Sequence, residues 1–292
     1  MASIPGAKLV RVPTTDGRLL DGALFEPAEG KLRSRAWVFL HGTGANFTSP
    51  GILEGLAQLL ASRGEAVLRL NTRGHDLVAK IPTMSGSVRG GAAFESLADA
   101  HLDIEAAAAW LNDVGFEQLS LLGHSLGGVK AIVSQSEHPI AGVDEIVALS
   151  PPRLRYERLI QDHEFRRHFD RARQLVDDGK GDELVEMTSP LKLWIPARGI
   201  VEKYGIEDRF DMVEHLPRVK PAALVFLDSK SLESSIAHRG LDADLAELGK
   251  SHSAISILRQ PDDIRYAGAE VMIANQIVEW RAKRDTLMDA GI

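Results

Sequence analysis

The chain has 292 residues, 44% of them hydrophobic and 26% charged, which suits one large folded core with an insertion. Its net charge of −7, from 34 basic and 41 acidic residues, excludes the basic surface expected of a protein that binds nucleic acid or anionic lipid. The absence of cysteine excludes disulfides, a thiol nucleophile and a metal site with cysteine ligands.

The first half of the chain alternates between patterns typical of strands and of helices. Two short strands around a turn at Asp16 and Gly17 are predicted within 8–28. This alternation favours an α/β fold in which helices cover both faces of a mostly parallel sheet. The further predicted strands lie at 36–42, 65–71, 116–123 and 143–150, and the helices between them at 51–64, 94–115 and 125–137.

Between 152 and 218 the sequence is rich in charged residues and has a pattern typical of helices. Because this segment lacks strand patterns and is too short to bury a core alone, we expect a helical lid inserted into a core formed by 1–151 and 219–292. The elements predicted after it are a strand at 221–227, a short helix at 232–239, a strand at 242–249 and a last helix at 264–283.

A lone serine, Ser125, stands between glycines in the segment LLGHSLGG at 121–128. A G-x-S-x-G motif between a strand and a helix is typical of a serine nucleophile on a sharp turn, where neighbouring chains pass too close for larger residues. The competing interpretation is that Ser125 only caps the following helix. The surrounding α/β pattern favours the nucleophile.

A serine hydroxyl needs a base to take its proton. The chain order serine, acid, histidine requires a late histidine between the last strand and the last helix, and His252 is predicted to lie there, beyond the strand at 242–249. His238 is the alternative, but it precedes that strand. We therefore expect His252 to be the base.

The acid that orients the histidine is expected on the loop after the strand at 221–227. Asp228 directly follows the strand, and Glu233 lies farther along the loop with a longer side chain. We favour Glu233 and retain Asp228 as the alternative acid.

Two backbone amides should stabilise the oxyanion that forms during such a reaction. One is expected from Leu126, which follows the nucleophile, and the other from Thr43 in the segment HGTG at 41–44. A phosphate-binding loop is the competing interpretation of HGTG, but the segment lacks the G-x-G-x-x-G pattern and the lysine of a P-loop.

The segments HGTG, NTRGHD (71–76), GHSLGG (123–128) and KSHS (250–253) together resemble the α/β-hydrolase superfamily, from about residue 8 to 284 apart from the insertion. The resemblance implies the α/β-hydrolase fold and a cofactor-free serine hydrolase of carboxylic ester hydrolase type, acting through an acyl-enzyme on Ser125. It also implies that Arg73 has a structural role. The loop after the strand at 221–227, which should carry the acid, departs from the Gly-x-x-Asp pattern of the family.

Amide, lactone, thioester and carbon–carbon bond hydrolysis are alternative reactions for the same residues, and a non-catalytic small-molecule receptor is the alternative outside enzymes. The expected partner is a small ester-like substrate, with no nucleic acid, no metal or other cofactor and no membrane insertion; a homo-oligomer is compatible with the sequence. The start of the chain lacks a signal-peptide pattern, and no apolar stretch reaches about 18 residues, so a cytoplasmic location is expected.

Overall fold

The computed structural model describes residues 6–27, 35–260 and 268–289. Its strands are β1 Ala7–Pro13, β2 Leu19–Phe25, β3 Ala36–Leu40, β4 Ala66–Leu70, β5 Ala79–Thr83, β6 Gly86–Gly90, β7 Leu119–His124, β8 Val143–Leu149, β9 Leu184–Met187, β10 Leu193–Pro196, β11 Ala222–Asp228 and β12 Ile255–Gln260. Its helices are α1 Ile52–Ser62, α2 Ala100–Asp113, α3 Leu126–Glu137, α4 Tyr156–Leu159, α5 His163–Asp177, α6 Ala197–Tyr204, α7 Met212–His215, α8 Ser229–Ser234, α9 Leu241–Ser251 and α10 Glu270–Asp289.

Eight strands form the central sheet in the order β1-β2-β4-β3-β7-β8-β11-β12. The β1–β2 and β2–β4 pairs are antiparallel, and the six strands from β4 to β12 run parallel. The predicted α/β fold with a mostly parallel sheet is therefore confirmed. Since parallel strands all end at the same edge, the loops after β3, β4, β7, β8 and β11 meet there, and we call it the carboxyl edge.

Both faces of the sheet are covered, as the apolar strands require. Side chains of α1 and α10 pack with Trp37, Phe39 and Phe226 on one face. On the other face, residues of α2 and α3 share one apolar cluster with the strands and with the insertion. The insertion contributes buried residues such as Phe165 and Met212 to this shared core.

The insertion contains a small sheet that its sequence pattern did not indicate. Strands β9 and β10 pair antiparallel within 152–218, so the expectation of an all-helical segment is wrong. These strands have only four residues each, too few to show a clear alternation. A second hairpin, β5–β6, also escaped prediction, because its strand β6 is mostly exposed and carries glycine at both ends.

The strand predicted at 242–249 is wrong. This segment belongs to the helix α9, which buries Leu241 and Leu245 one turn apart and begins after Gly240 in the left-handed conformation. The last strand is β12, which pairs parallel with β11. The final helix was predicted at 264–283; α10 begins at Glu270, and 261–267 lie outside the described residues.

None of the helices in the described ranges combines the length and apolar character needed to cross a membrane.

Candidate active site

Ser125 occupies a strained turn between β7 and α3 at the carboxyl edge. Its φ of 53° and ψ of −123° place a non-glycine residue in a region that few side chains tolerate. The Ser125 N–H donates to the carbonyl of Leu149, the last residue of β8, at 2.8 Å. Such strain persists where the surrounding structure imposes it, and it is concentrated at functional sites.

The glycines of the motif have a direct steric explanation. A Cβ on Gly123 would lie 2.2 Å from the backbone of Gly127, and a Cβ on Gly127 would lie 2.2 Å from the carbonyl oxygen of Leu40 at the end of β3. Both approaches are far shorter than van der Waals contact. The turn that presents Ser125 can form only with glycine at both positions.

The loop after β3 passes beside Ser125. A Cβ on Gly42 would lie 3.1 Å from the Cβ of Ser125, and the N–H of Ala45 donates to the Gly42 carbonyl to close a turn around Thr43. Leu126 is the first residue of α3, where helical N–H groups have no partner within the helix. The two amides predicted for the oxyanion thus belong to segments that flank Ser125.

A chain of hydrogen bonds links α3 to this loop. The Lys130 ammonium donates to the Thr72 hydroxyl at 3.1 Å, and the Thr72 N–H donates to Nε2 of His41 at 3.1 Å. Because Nε2 accepts, Nδ1 carries the proton and donates to the Gly42 carbonyl at 2.9 Å. His41 therefore holds the loop in place as a neutral imidazole.

Burial, with the nearby charge of Lys130, lowers the pKa of His41 from 6.5 to about 4. Between pH 6.5 and about 4, His41 is therefore protonated in the unfolded chain and neutral in the folded chain. The stability that neutral His41 contributes is complete above pH 6.5 and is lost as the pH falls towards 4, by about 3 kcal/mol.

We expect the variant His41→Gln to lose stability less steeply than the wild type between pH 6.5 and 4, because glutamine has no proton to bind there. Chemical denaturation at several pH values measures this slope. The variant His163→Gln is the control, since His163 is exposed on α5. An unchanged slope in His41→Gln would show that His41 is not the responsible group.

A buried charge cluster joins the insertion to the helix that follows Ser125. The Glu95 carboxylate accepts from Lys130 of α3 and lies 3.7 Å from the ammonium of Lys203 of α6. Burial alone would raise the pKa of Glu95, but the attraction of Lys130 and Lys203 lowers it below its usual value. The carboxylate is therefore charged and fixes α6 against the core.

Arg73 after β4 lies within a set of carboxylates. Its N–H and guanidinium bind Asp103 of α2 at 2.7 and 2.8 Å, and the guanidinium also contacts Asp16 and Asp99. With 1% of its side chain exposed, Arg73 ties three segments together.

His252 lies away from Ser125. It follows α9 and precedes β12, so its predicted position beyond the final strand is wrong. The strand registers place Leu258 of β12 level with His124 of β7. These two strands are three strand spacings apart, which is about 14 Å across the sheet. His252 lies a further 10 Å or so towards the opposite edge. The structure does not bring His252 and Ser125 together.

His252 is also the last of the ten histidines, so the sequence has none after β12. Its Nδ1 lies 3.2 Å from the Leu248 carbonyl of the preceding helix, α9. The β-branched pattern of 255–260 was the signal that could have located the last strand.

The two candidate acids have different surroundings. Glu233 is exposed on α8. Asp228 is fully buried at the end of β11, where it accepts from the Ser231 N–H at 2.7 Å as the N-cap of α8 and from the Ser150 hydroxyl. Asp228 thus lies at the carboxyl edge with its carboxylate fixed.

His238 lies at the carboxyl edge, between α8 and α9. Its Nε2 is 3.2 Å from the carbonyl oxygen of Ser150, and its Nδ1 is 2.9 Å from the Ser235 hydroxyl. Ser150 directly follows Leu149, whose carbonyl receives the Ser125 N–H. Ser150 also binds Asp228, so one residue connects the surroundings of the serine, the histidine and the acid.

The model of the alpha/beta hydrolase family matches residues 37–280. No curated protein matches the chain. Among solved structures, the ferulic acid complex of Est1E from Butyrivibrio proteoclasticus is 14% identical with a TM-score of 0.65, covering 95% of this chain and 99% of that one. The Pyrococcus furiosus esterase Pf2001 is 15% identical with a TM-score of 0.62, covering 99% and 94%. The alpha/beta hydrolase GrgF from Penicillium sp. sh18 is 14% identical with a TM-score of 0.62, covering 96% and 97%. These likenesses show the fold.

Proposed function

Because the chain belongs to the alpha/beta hydrolase family, we propose that it hydrolyses a carboxylic ester of a small molecule through an acyl-enzyme on Ser125. The left-handed backbone of Ser125, imposed by close packing at a strand-to-helix turn, is the observation that carries this proposal. One of the structural neighbours, Pf2001 from Pyrococcus furiosus, is named an esterase, which supports an ester as the substrate. Multiple turnover of a p-nitrophenyl ester by the wild-type protein tests it.

In the proposed reaction, Ser125 Oγ attacks the ester carbonyl and transfers its proton to a base. The N–H groups of Thr43 and Leu126 receive the negative charge that develops on the carbonyl oxygen. The base then protonates the leaving alcohol, and water attacks the acyl-enzyme in the same way to release the acid and regenerate Ser125.

We assign the base to His238 rather than His252. His238 lies at the carboxyl edge of the sheet, as Ser125 does, whereas His252 lies towards the opposite edge of the sheet. To accept the proton, His238 must exchange its contact with the Ser150 carbonyl for one with Ser125. Catalytic hydrogen bonds commonly form only once substrate is bound.

Asp228 is the acid of this proposal. Asp228 is buried and is connected to His238 through Ser150. The Ser150 hydroxyl donates to the Asp228 carboxylate, and the Ser150 carbonyl oxygen contacts Nε2 of His238. Glu233 is exposed on the helix that follows. A buried carboxylate can stabilise the imidazolium that forms when His238 takes the proton.

We expect Asp228→Asn to lower ester turnover by as much as about 10⁴-fold and Glu233→Gln to leave it unchanged. Asparagine is as good an N-cap as aspartate, so α8 should persist in the first variant. Steady-state kinetics of both variants, with melting curves to check the fold, measures the effect. Normal turnover in Asp228→Asn would remove Asp228 from the mechanism.

We further propose that the insertion at 152–218 covers the substrate and sets its selectivity. The buried contact between Glu95 and Lys203 fixes α6 of the insertion against the core. A cavity of about 210 Å³ lies along this junction, lined by residues that include Arg73, Glu95 and Glu202.

A second candidate function is ligand binding without turnover. The observation that favours it is the absence of any histidine after β12, together with the contacts that both ring nitrogens of His238 already make. A protein of this kind would bind an ester without releasing more than one equivalent of product. Multiple turnover therefore separates the two functions.

A further inference from the structure

A cluster of two histidines and a glutamate lies at the other end of α3 from Ser125. His101 and Glu105 are one turn apart on α2, so they share a face of that helix. His138 directly follows α3. One ligand atom from each of the three side chains lies within 4.8 Å of the others.

The donor atoms of this cluster are suited to a metal ion. Nδ1 of His101 lies 2.8 Å from the Ala98 carbonyl, and only a protonated nitrogen can donate to that oxygen. Nε2 of His101 therefore presents a lone pair when the ring is neutral. A backbone carbonyl that fixes the tautomer in this way is the usual outer partner of a metal-bound histidine.

The Glu105 carboxylate is available for the same purpose. Within the described part of the chain it takes part in no hydrogen bond or ion pair. Glu105 is half-buried and His138 is exposed, so the cluster is open to an ion from solvent. Two imidazoles and one carboxylate leave a fourth tetrahedral position for water.

We propose that His101, Glu105 and His138 bind one Zn²⁺ ion. Nitrogen ligands select zinc over Mg²⁺ and Ca²⁺, which prefer oxygen. The two rings are stacked, with centroids 3.7 Å apart and planes 14° apart, so they must tilt to bring both nitrogens to about 2.1 Å from one ion. The bound ion joins the start of α2 to the end of α3 and stabilises the folded chain.

This site is separate from the proposed reaction. The α3 helix spans 12 residues, or about 18 Å, between Ser125 and His138. Zinc bound here would act on stability and would supply no group to the ester. Its test therefore does not depend on whether the protein hydrolyses esters.

Isothermal titration of the tag-free, full-length protein with zinc chloride tests the proposal. We expect one zinc ion per chain, a melting temperature that rises with zinc concentration, and no such effect of magnesium. His138→Asn and Glu105→Gln should each weaken zinc binding by about tenfold or more while melting normally in EDTA. His163→Asn removes an exposed histidine elsewhere and should bind zinc as the wild type does.

Two results would overturn the proposal. One is the absence of saturable binding up to about 1 mM zinc. The other is equal zinc affinity in His138→Asn and the wild type, which would place the ion elsewhere.

Discussion

Replacement of Ser125 by alanine is expected to lower ester turnover by about 10⁵-fold or more, since the variant lacks the Oγ on which the proposed acyl-enzyme forms. The variant should fold normally, because alanine keeps the Cβ and the N–H that donates to Leu149. Steady-state hydrolysis of a p-nitrophenyl ester measures the loss.

The control for this variant is Ser234→Ala, which removes a serine on the exposed face of α8. It should retain the turnover of the wild type. If Ser125→Ala hydrolysed the ester at the wild-type rate, the observed hydrolysis would have to come from another group, and the turn at Ser125 would have no catalytic role.

Replacement of His238 by asparagine is expected to lower turnover by about 10³-fold or more, because the serine then lacks its base. Asparagine can keep a polar contact near Ser235, which limits damage to the fold. The matched control is His252→Asn, which removes the histidine beside β12 and should retain wild-type turnover. Melting curves of both variants check that the protein remains folded.

The opposite pattern is equally informative. Loss of activity in His252→Asn with normal activity in His238→Asn would restore the order serine, acid, histidine that the sequence predicts. It would require the segment from α9 to β12 to occupy a different place from the one described.

The sequence was sufficient to predict seven of the eight strands of the central sheet and the turn at Ser125. Strands such as β3 and β7 are short apolar runs followed by glycine-containing turns, and the helix α1 between β3 and β4 buries residues at helical spacing, such as Ile52, Leu56 and Leu60. The G-x-S-x-G spacing is a local signal, because its glycines are required by close contacts within a few residues and with the adjacent strand.

The base and the acid depend on longer-range placement. The segment 242–249 alternates polar and apolar residues only over its first half, which is compatible with a short strand, but Leu241 and Leu245 are also one helical turn apart. A strand at 242–249 would place His252 after it, at the carboxyl edge. Because the segment is helical, His252 precedes β12 and lies towards the opposite edge. The link from Asp228 to His238 runs through Ser150, which follows a different strand, β8, and no sequence spacing reveals it.

Covalent labelling tests the central proposal, that Ser125 is an activated nucleophile. The wild-type protein is treated with a fluorophosphonate and the adduct is located by peptide mass spectrometry. We predict a single adduct on Ser125, absent from Ser125→Ala and formed much more slowly in His238→Asn. A folded wild-type protein that forms no adduct, or forms it on another residue, would contradict the account.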